Sequence, residues 1–229
     1  MSRWFYALVR LLLRIFFHLG FGLEVRGLEY VPRRGPVSVA CNHVSFLDPP
    51  VLGAACPRPL AFMARRNLFR HPLLGAFLRG VRVVPLRRGE GDLEAVREAL
   101  RRLRGGEAVA IFPEGGRQVS GRLGEARRGV GLLASAGRAA IVPALVQGTF
   151  EALPPTAVRL RRAKIRVAFG PPIPYTKEPL SAPGHPDKGR GGEAVVGALH
   201  ASERLASRQH HEHLAALVTQ QWRQLLVEE

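Results

Sequence analysis

The chain has 229 residues, 46% of them hydrophobic, which suits one large domain with its own core and excludes disorder along most of its length. Lysine and arginine total 34 against 18 aspartates and glutamates, a net charge of +16, which favours anionic lipid, nucleic acid or phosphorylated small molecules as partners. Two cysteines, Cys41 and Cys56, exclude a disulfide framework, and no CxxC or His/Cys metal spacing occurs. We therefore predict reduced thiols, no metal and a cytosol-facing protein.

Residues 1–24 are strongly apolar and aromatic, yet they carry cations at a regular spacing. Arg10, Arg14 and His18 lie at positions i, i+4 and i+8, so they form one stripe along a helix. The opposite face of that helix carries bulky apolar side chains: Trp4, Phe5, Leu8, Leu12, Ile15, Phe16 and Leu19. A basic amphipathic helix of this kind is typical of an anchor that lies in the membrane interface.

Three other interpretations of this N-terminal segment compete with the interfacial anchor. A membrane-spanning helix would place Arg10 and Arg14 in hydrocarbon, at a cost of roughly 2.5–3.5 kcal/mol each. A signal peptide would carry its charges at the start, followed by a small-residue cleavage site, and neither is clear here. A helix that packs on the core of the domain stays open as an alternative. We predict an N-terminal amphipathic membrane-binding helix.

From residue 25 to residue 177 the pattern alternates between short β-branched apolar runs and helical periodicity. The runs predicted as strands are 37–40, 81–86, 108–112, 140–146 and 165–169. The clearest helix is predicted over 92–104, where Asp92 is placed to cap the first turn and two glycines follow the last. This alternation predicts an α/β domain with a central mixed, partly parallel sheet flanked by helices.

The last 52 residues change in character. Proline, glycine and charge dominate the start of the segment 178–209, which we interpret as a linker or loop. A helix is predicted over 210–229, with its leucines and Trp222 on one face, packing back on the domain. Three histidines at its start have no evident partner ligands, so we interpret them as a solvated helix start rather than a metal site: His210, His211 and His213.

One candidate catalytic constellation follows the predicted strand 37–40. His43 would lie in a strand-to-helix turn, and Asp48, followed by two prolines, would begin the helix. A short turn can bring the carboxylate beside the imidazole, which fixes the tautomer and leaves the second ring nitrogen basic. The alternative is that Asp48 only caps the helix and His43 only bonds a nearby carbonyl group.

Further candidates follow two other predicted strands. Glu114 and Arg117 place an acid and a phosphate-binding guanidinium in one turn, and Gly115 permits close approach of a ligand to the backbone. Arg88 and Arg127 lie in two arginine pairs that are each followed by glycine. The alternatives are a surface turn with a Glu–Arg ion pair, and arginines that are simply solvated.

Taken together and in this order, four segments resemble the sequence blocks of the 1-acylglycerol-3-phosphate (lysophosphatidic acid) acyltransferase family of glycerolipid acyltransferases. They are 42–48, 80–88, 112–117 and 141–143. The resemblance covers roughly residues 25–174. It implies acyl transfer from acyl-CoA or acyl-carrier protein to the sn-2 hydroxyl of 1-acylglycerol 3-phosphate, giving phosphatidic acid in phospholipid biosynthesis.

The resemblance also implies a role for each candidate residue. His43 would remove the proton of the acceptor hydroxyl and Asp48 would orient the imidazole, without a metal or cofactor. The residues expected to bind the acceptor are Arg88, Glu114, Gly115, Arg117 and Arg127. The implied partners are the lipid bilayer, a lysophospholipid acceptor and the acyl donor, with no nucleic acid. The implied location is the cytoplasmic face of the cell membrane, in peripheral or monotopic association.

Two departures from the family pattern concern the acceptor. Gly116 stands where the family usually has threonine, and Ala126 stands where it usually has an aromatic residue. The same chemistry on another lysophospholipid or a lyso-aminolipid is therefore the runner-up. A non-enzymatic basic protein that binds nucleic acid or membrane is a third hypothesis, which the absence of a nucleic-acid motif and the 7% aromatic content disfavour.

Overall fold

The computed structural model describes residues 3–81, 83–86, 93–175 and 192–227. The helices are α1 Arg3–Phe21, α2 Asp48–Ala55, α3 Pro72–Gly80, α4 Leu93–Arg104, α5 Gly129–Gly137, α6 Thr149–Ala152 and α7 Gly192–Val227. The strands are β1 Glu24–Arg26, β2 Val37–Cys41, β3 Leu60–Ala61, β4 Met63–Arg65, β5 Val84–Leu86, β6 Ala108–Ile111, β7 Ala140–Gln147 and β8 Arg166–Phe169. Short 3₁₀ turns occur at Leu28–Tyr30 and Arg66–Phe69.

Six of these strands form one mixed sheet in the order β1-β8-β7-β2-β6-β3. Strand β2 pairs in parallel with β6 and β7, β3 pairs in parallel with β6, and β1 pairs in parallel with β8, whereas β7 and β8 are antiparallel. Strands β4 and β5 form a separate parallel pair. The predicted mixed, partly parallel sheet flanked by helices is confirmed. Strand β5 begins at Val84 rather than at residue 81.

The sheet is buried on both faces, as its nearly continuous apolar strands require. Successive side chains of β7 alternate between two core clusters, with Val142 and Ala144 in one and Ile141 and Leu145 in the other. The first cluster includes residues of α1 and α2, and the second includes residues of α4, α5 and α7. The two sets of helices therefore cover opposite faces of the sheet.

Helix α1 has two apolar sides with different surroundings. Tyr6, Phe17 and Phe21 are buried, and the last two belong to the core cluster shared with α2. Phe5, Val9 and Leu13 are half-buried. Seven bulky apolar side chains of α1 are exposed: Trp4, Leu8, Leu11, Leu12, Ile15, Phe16 and Leu19. The stretch Trp4–Phe21 is long and apolar enough to cross a membrane by length and composition, and only 17% of it is buried. One side of α1 thus packs on the core, and the other side is apolar and exposed.

Helix α7 begins earlier than the sequence pattern indicates. It runs from Gly192, so the predicted linker is wrong over 192–209, and residues 178–191 lie outside the described part of the chain. The physical reason is composition, because the last proline of the segment is Pro186 and alanine, leucine and glutamate are frequent after it. The predicted packing of the C-terminal segment is present. Trp222 is fully buried and its indole N–H donates to the carbonyl oxygen of Ala40, at 3.1 Å.

The burial of Trp222 generates a test of how α7 stabilises the domain. We expect Trp222→Ala to lower the free energy of unfolding by about 3–5 kcal/mol, as for other large-to-small core substitutions. The control Trp4→Ala removes an exposed indole and should change stability by less than about 0.5 kcal/mol. Chemical unfolding followed by far-ultraviolet circular dichroism measures both. Equal stability of the two variants would contradict the docking of α7.

Candidate active site

Three parallel strands end at the same edge of the sheet, and each is followed by a polar side chain of the candidate site. His43 follows β2, Glu114 follows β6 and Thr149 follows β7. The carboxyl ends of parallel strands are where α/β proteins usually hold reactive groups. The topology therefore collects residues that are up to 106 positions apart in the chain (43 to 149).

His43 and Asp48 are hydrogen bonded, as the sequence predicts. The imidazole Nδ1 of His43 lies 2.8 Å from Oδ2 of Asp48. Asp48 is fully buried at the first residue of α2, whereas the His43 side chain is 18% exposed. Because a carboxylate only accepts hydrogen bonds, Nδ1 carries the proton in the neutral ring and Nε2 has a free lone pair. This is the arrangement that a general base requires.

The Asp48 carboxylate is held by three further donors. Its Oδ2 accepts hydrogen bonds from the backbone N–H groups of Val44 and Ser45, both at 2.7 Å. Its Oδ1 accepts a hydrogen bond from the Thr149 hydroxyl at 2.6 Å. Four donors in all leave the carboxylate little freedom to rotate. Helix α2 has no side-chain cap, so Asp48 does not cap it as the alternative expected; its carboxylate instead binds the turn before the helix and orients the imidazole.

Sequence reasoning missed Thr149, which is fully buried at the start of α6. The signal was the Gly148-Thr149 pair directly after a predicted strand. Gly148 has φ 80°, and a Cβ added there would lie 1.9 Å from the carbonyl oxygen of Lys164. Only glycine fits both the left-handed backbone and the close approach. The chain can thereby turn from β7 into α6 and present the hydroxyl of Thr149 to Asp48.

Glu114, in the turn after β6, supports the backbone of residues 42–47 between β2 and α2, which we call the histidine loop. Its Oε2 accepts from the His43 N–H at 2.8 Å, and its Oε1 accepts from the Gly124 N–H at 2.9 Å. The side chain is 2% exposed, and this burial raises the pKa of the Glu114 carboxyl. These contacts give Glu114 a role in positioning His43. Its predicted contact with an acceptor stays a prediction.

Two more contacts hold the histidine loop in place. The ring of Phe112 stacks on the imidazole of His43, with centroids 4.3 Å apart. The Asn42 side chain exchanges two hydrogen bonds with the backbone of Val146, at 2.7 and 2.9 Å. One face of the imidazole therefore packs on Phe112, directly after β6, and the Asn42 amide fixes the start of the loop to β7.

Arg117 lies in the same group of loops. Its guanidinium carbon lies 3.5 Å from the centroid of the Phe46 ring, and the backbone N–H of Gln118 donates to the carbonyl oxygen of His43. The Nη1 atom of Arg117 is buried and has no hydrogen-bond partner within the described residues. Buried polar atoms normally have partners. An unpartnered guanidinium nitrogen beside the histidine loop is suited to receive an anionic oxygen.

The remaining predicted binding residues have different placements. Gly115 has φ 80°, and a Cβ added there would lie 2.9 Å from the Arg127 guanidinium, so Arg127 packs directly over this glycine. Arg127 itself is exposed, and its backbone N–H donates to the carbonyl oxygen of Pro113. Arg88 lies outside the described residues. The described residues contain no group of three or more His, Cys, Asp or Glu side chains that would hold a metal ion.

Neither cysteine has the environment of a nucleophile. Cys41 and Cys56 are both free and buried. Burial raises the pKa of Cys41 well above its ordinary value and raises the pKa of Cys56 to about 11. Since the thiolate is the reactive form, both thiols are inert at neutral pH.

Comparison with known proteins places this site in a family. The Acyltransferase family model matches residues 22–147, which include His43, Asp48, Glu114 and Arg117. The 1-acyl-sn-glycerol-3-phosphate acyltransferase of Bacillus subtilis is 28% identical over 163 residues, covering 70% of this chain and 78% of that protein. The lyso-ornithine lipid O-acyltransferase of Pseudomonas aeruginosa is 37% identical over 93 residues, covering 40% of this chain and 35% of that protein.

A solved structure has the same fold. The 1-acyl-sn-glycerophosphate acyltransferase of Thermotoga maritima superposes with a TM-score of 0.63 at 19% identity, covering 89% of this chain and 79% of that one. Plant relatives are longer, and the chain spans about half of their length. The family model matches more than half of the chain, over the sheet and the loops that hold the histidine. The chain therefore belongs to the acyltransferase family.

Proposed function

We propose that the chain transfers a fatty acyl group from acyl-CoA or acyl-carrier protein to the sn-2 hydroxyl of 1-acylglycerol 3-phosphate, giving phosphatidic acid. The observation that carries this proposal is the 2.8 Å hydrogen bond between His43 and Asp48, which lies at the carboxyl ends of the parallel strands. The chain that holds this pair belongs to the acyltransferase family. Several relatives are named as acyltransferases acting on this acceptor. Among the described residues, His43, Glu114 and Arg117 lie in or beside the histidine loop.

In the proposed reaction, Nε2 of His43 takes the proton of the acceptor hydroxyl as the oxygen attacks the thioester carbonyl carbon. The new C–O bond forms and the C–S bond breaks, and the imidazolium returns the proton to the leaving thiolate. Asp48 stabilises the positive imidazolium through Nδ1. A positioned general base of this kind typically supplies 10²–10⁴-fold in rate.

The acceptor phosphate would lie against the arginines of the site. Arg117 has an unpartnered buried nitrogen, and an arginine fork matches phosphate oxygens in geometry and charge. Arg88 and Arg127 are proposed to complete the anion site, and the Glu114-Gly115 turn is proposed to border it. We propose that the protein works at the cytoplasmic face of the membrane, with the exposed apolar side of α1 in the interface.

A lyso-aminolipid acceptor is the second candidate. The lyso-ornithine lipid O-acyltransferase of Pseudomonas aeruginosa supports it, as do Gly116 and Ala126 at positions where the family usually has other residues. The His43–Asp48 chemistry is the same for both acceptors, because each offers a hydroxyl to the same base. Acceptor choice must therefore be tested separately from catalysis.

The general-base role is tested by acyl transfer with purified protein, followed by mass spectrometry of the lipid products. We expect His43→Ala to lower the rate about 10²–10⁴-fold, because no other group would accept the hydroxyl proton. His213→Ala, which removes an exposed histidine of α7, should match the wild type. Wild-type activity in His43→Ala would remove His43 as the base.

The positioning role of Thr149 is tested by Thr149→Val, which keeps the shape but deletes the hydroxyl donor to Asp48. We expect kcat to fall about 10–100-fold, as when a catalytic group is slightly misplaced, with little change in KM. Thr149→Ser should restore most of the rate because it restores the donor. If valine and serine variants have the same kcat, the hydrogen bond to Asp48 does not position the base.

Acceptor choice is tested by Arg117→Gln with two acceptors, 1-acylglycerol 3-phosphate and a lyso-ornithine lipid. Loss of a charged hydrogen bond to phosphate costs about 1.5–3 kcal/mol, so kcat/KM for the phosphate acceptor should fall roughly 10–100-fold. The lyso-ornithine lipid should be affected much less, and Arg122→Gln, an exposed residue of the following loop, should affect neither. Equal losses for both acceptors would contradict phosphate binding by Arg117.

A further inference from the structure

The segment between α6 and β8 carries exposed apolar side chains among exposed arginines. Val158 is 96% exposed and Leu160 is 52% exposed. The arginines beside them are exposed as well: Arg159, Arg161 and Arg162. Within the described part of the chain, no ion pair involves these three arginines. We call residues 158–162 the arginine loop.

The arginine loop is connected to the candidate catalytic pair through helix α6. Helix α6, which precedes it, presents Thr149 to Asp48. The Ser45 hydroxyl of the histidine loop donates to the carbonyl oxygen of Leu153 at 2.7 Å, and the backbone N–H of Arg161 donates to the carbonyl oxygen of Ala152 at 2.8 Å. The loop is thereby tied to the same loops that hold His43.

The residues that follow the arginine loop contact the end of helix α1. The backbone N–H of Ile165 donates to the carbonyl oxygen of Phe21, the last residue of α1, at 3.1 Å. Lys164 lies against Gly22 and is ion paired with Glu24, at 2.6 Å. Leu19, which is 75% exposed, lies in the last turn of α1. The segment that contains the arginine loop therefore runs from α6, which contacts Asp48, to the end of α1, whose last turn exposes Leu19.

The composition of the loop decides which partner fits it. A bilayer interface takes up apolar side chains at the boundary of the acyl chains and binds arginine at the phosphates of anionic lipids. A nucleic acid would use the arginines but leave Val158 and Leu160 in water. Of these two partners, a lipid surface satisfies both kinds of side chain, and α1, whose end contacts this segment, exposes further apolar side chains.

We propose that the arginine loop is a second contact with the anionic bilayer surface, beside α1, and that it holds the His43–Asp48 pair at the level of the lipid headgroups. The proposal rests on the proposed function, in that the acceptor is a membrane lipid and α1 lies in the interface. The loop differs from α1 in being anchored to the catalytic loops. It therefore sets where the active site stands relative to the membrane surface.

Flotation of the full chain with lipid vesicles tests the proposal. One variant combines Arg159→Gln, Arg161→Gln and Arg162→Gln, and a second combines Val158→Asn with Leu160→Asn. Each juxtamembrane arginine contributes about fivefold to partitioning, so the triple variant should bind vesicles containing 30% phosphatidylglycerol roughly 100-fold more weakly. Its binding to phosphatidylcholine vesicles should be unchanged. The double variant should bind both kinds of vesicle more weakly.

Matched controls come from the opposite face of the sheet. The triple control, Arg97→Gln with Arg104→Gln and Arg138→Gln, removes the same charge from exposed positions of α4 and the end of α5. The double control, Val96→Asn with Leu132→Asn, removes two exposed apolar side chains. Both controls should bind vesicles like the wild type. Equal loss in loop and control variants would show an effect of total charge or polarity and would overturn the proposal.

Acyl transfer to acceptor dissolved in detergent micelles separates this proposal from the proposed function. The loop variants should retain the wild-type rate in micelles while losing activity on vesicles. Loss of activity in micelles with intact vesicle binding would make the loop a substrate-binding element and overturn the proposal. If the wild type transfers no acyl group in any assay, the proposed function fails, while the vesicle-binding comparison still decides the role of the loop.

Discussion

The buried carboxylate of Asp48 is the constraint around which the site is organised. A carboxylate without exposure to water needs hydrogen bonds to most of its lone pairs. Asp48 obtains them from the His43 ring, from the N–H groups of Val44 and Ser45, and from the Thr149 hydroxyl. The loop after β2, the start of α2 and the start of α6 must therefore all be in place together. Removing one donor would leave a buried charge partly unsatisfied, which is costly.

The sheet supplies the rigidity that this arrangement needs. Strands β2, β6 and β7 are parallel neighbours with apolar side chains on both faces, so their carboxyl ends are fixed relative to one another. Asn42 connects the loop after β2 to β7, and Glu114 connects it to the turn after β6. The His43 imidazole, mounted in this way, keeps its orientation without help from a substrate, as its proposed role as a general base requires. Such preorganisation is what general acid–base catalysis depends on.

Contacts between neighbours in sequence were predictable, and contacts between distant elements were not. The His43–Asp48 contact could be predicted because the two residues are five positions apart and Asp48, followed by two prolines, begins a helix. The bonds from Thr149 to Asp48 and from Glu114 to the His43 N–H join strands far apart in the chain, and their geometry depends on strand order, which no local pattern specifies. Five of the eight strands in the described residues and the helix α4 were predictable from periodicity, whereas β1, β3 and β4, of two or three residues each, are too short to show a pattern. The helical part of 192–209 was missed because the proline-rich residues before it dominated the composition of the segment.

The two-sided packing of α1 limits how its exposed apolar surface can be removed. A shortened chain that begins after α1 would lose Phe17 and Phe21 from the core cluster and uncover the apolar surface of α2 beneath them. Such a fragment would exchange one exposed apolar surface for another and lose core volume as well. Polar residues in place of Leu8, Leu12 and Leu19 would remove the outward apolar side chains and leave the packed side intact. For this chain, substitution of the outward side chains rather than truncation is the way to remove the exposed apolar surface of α1 without exposing the core.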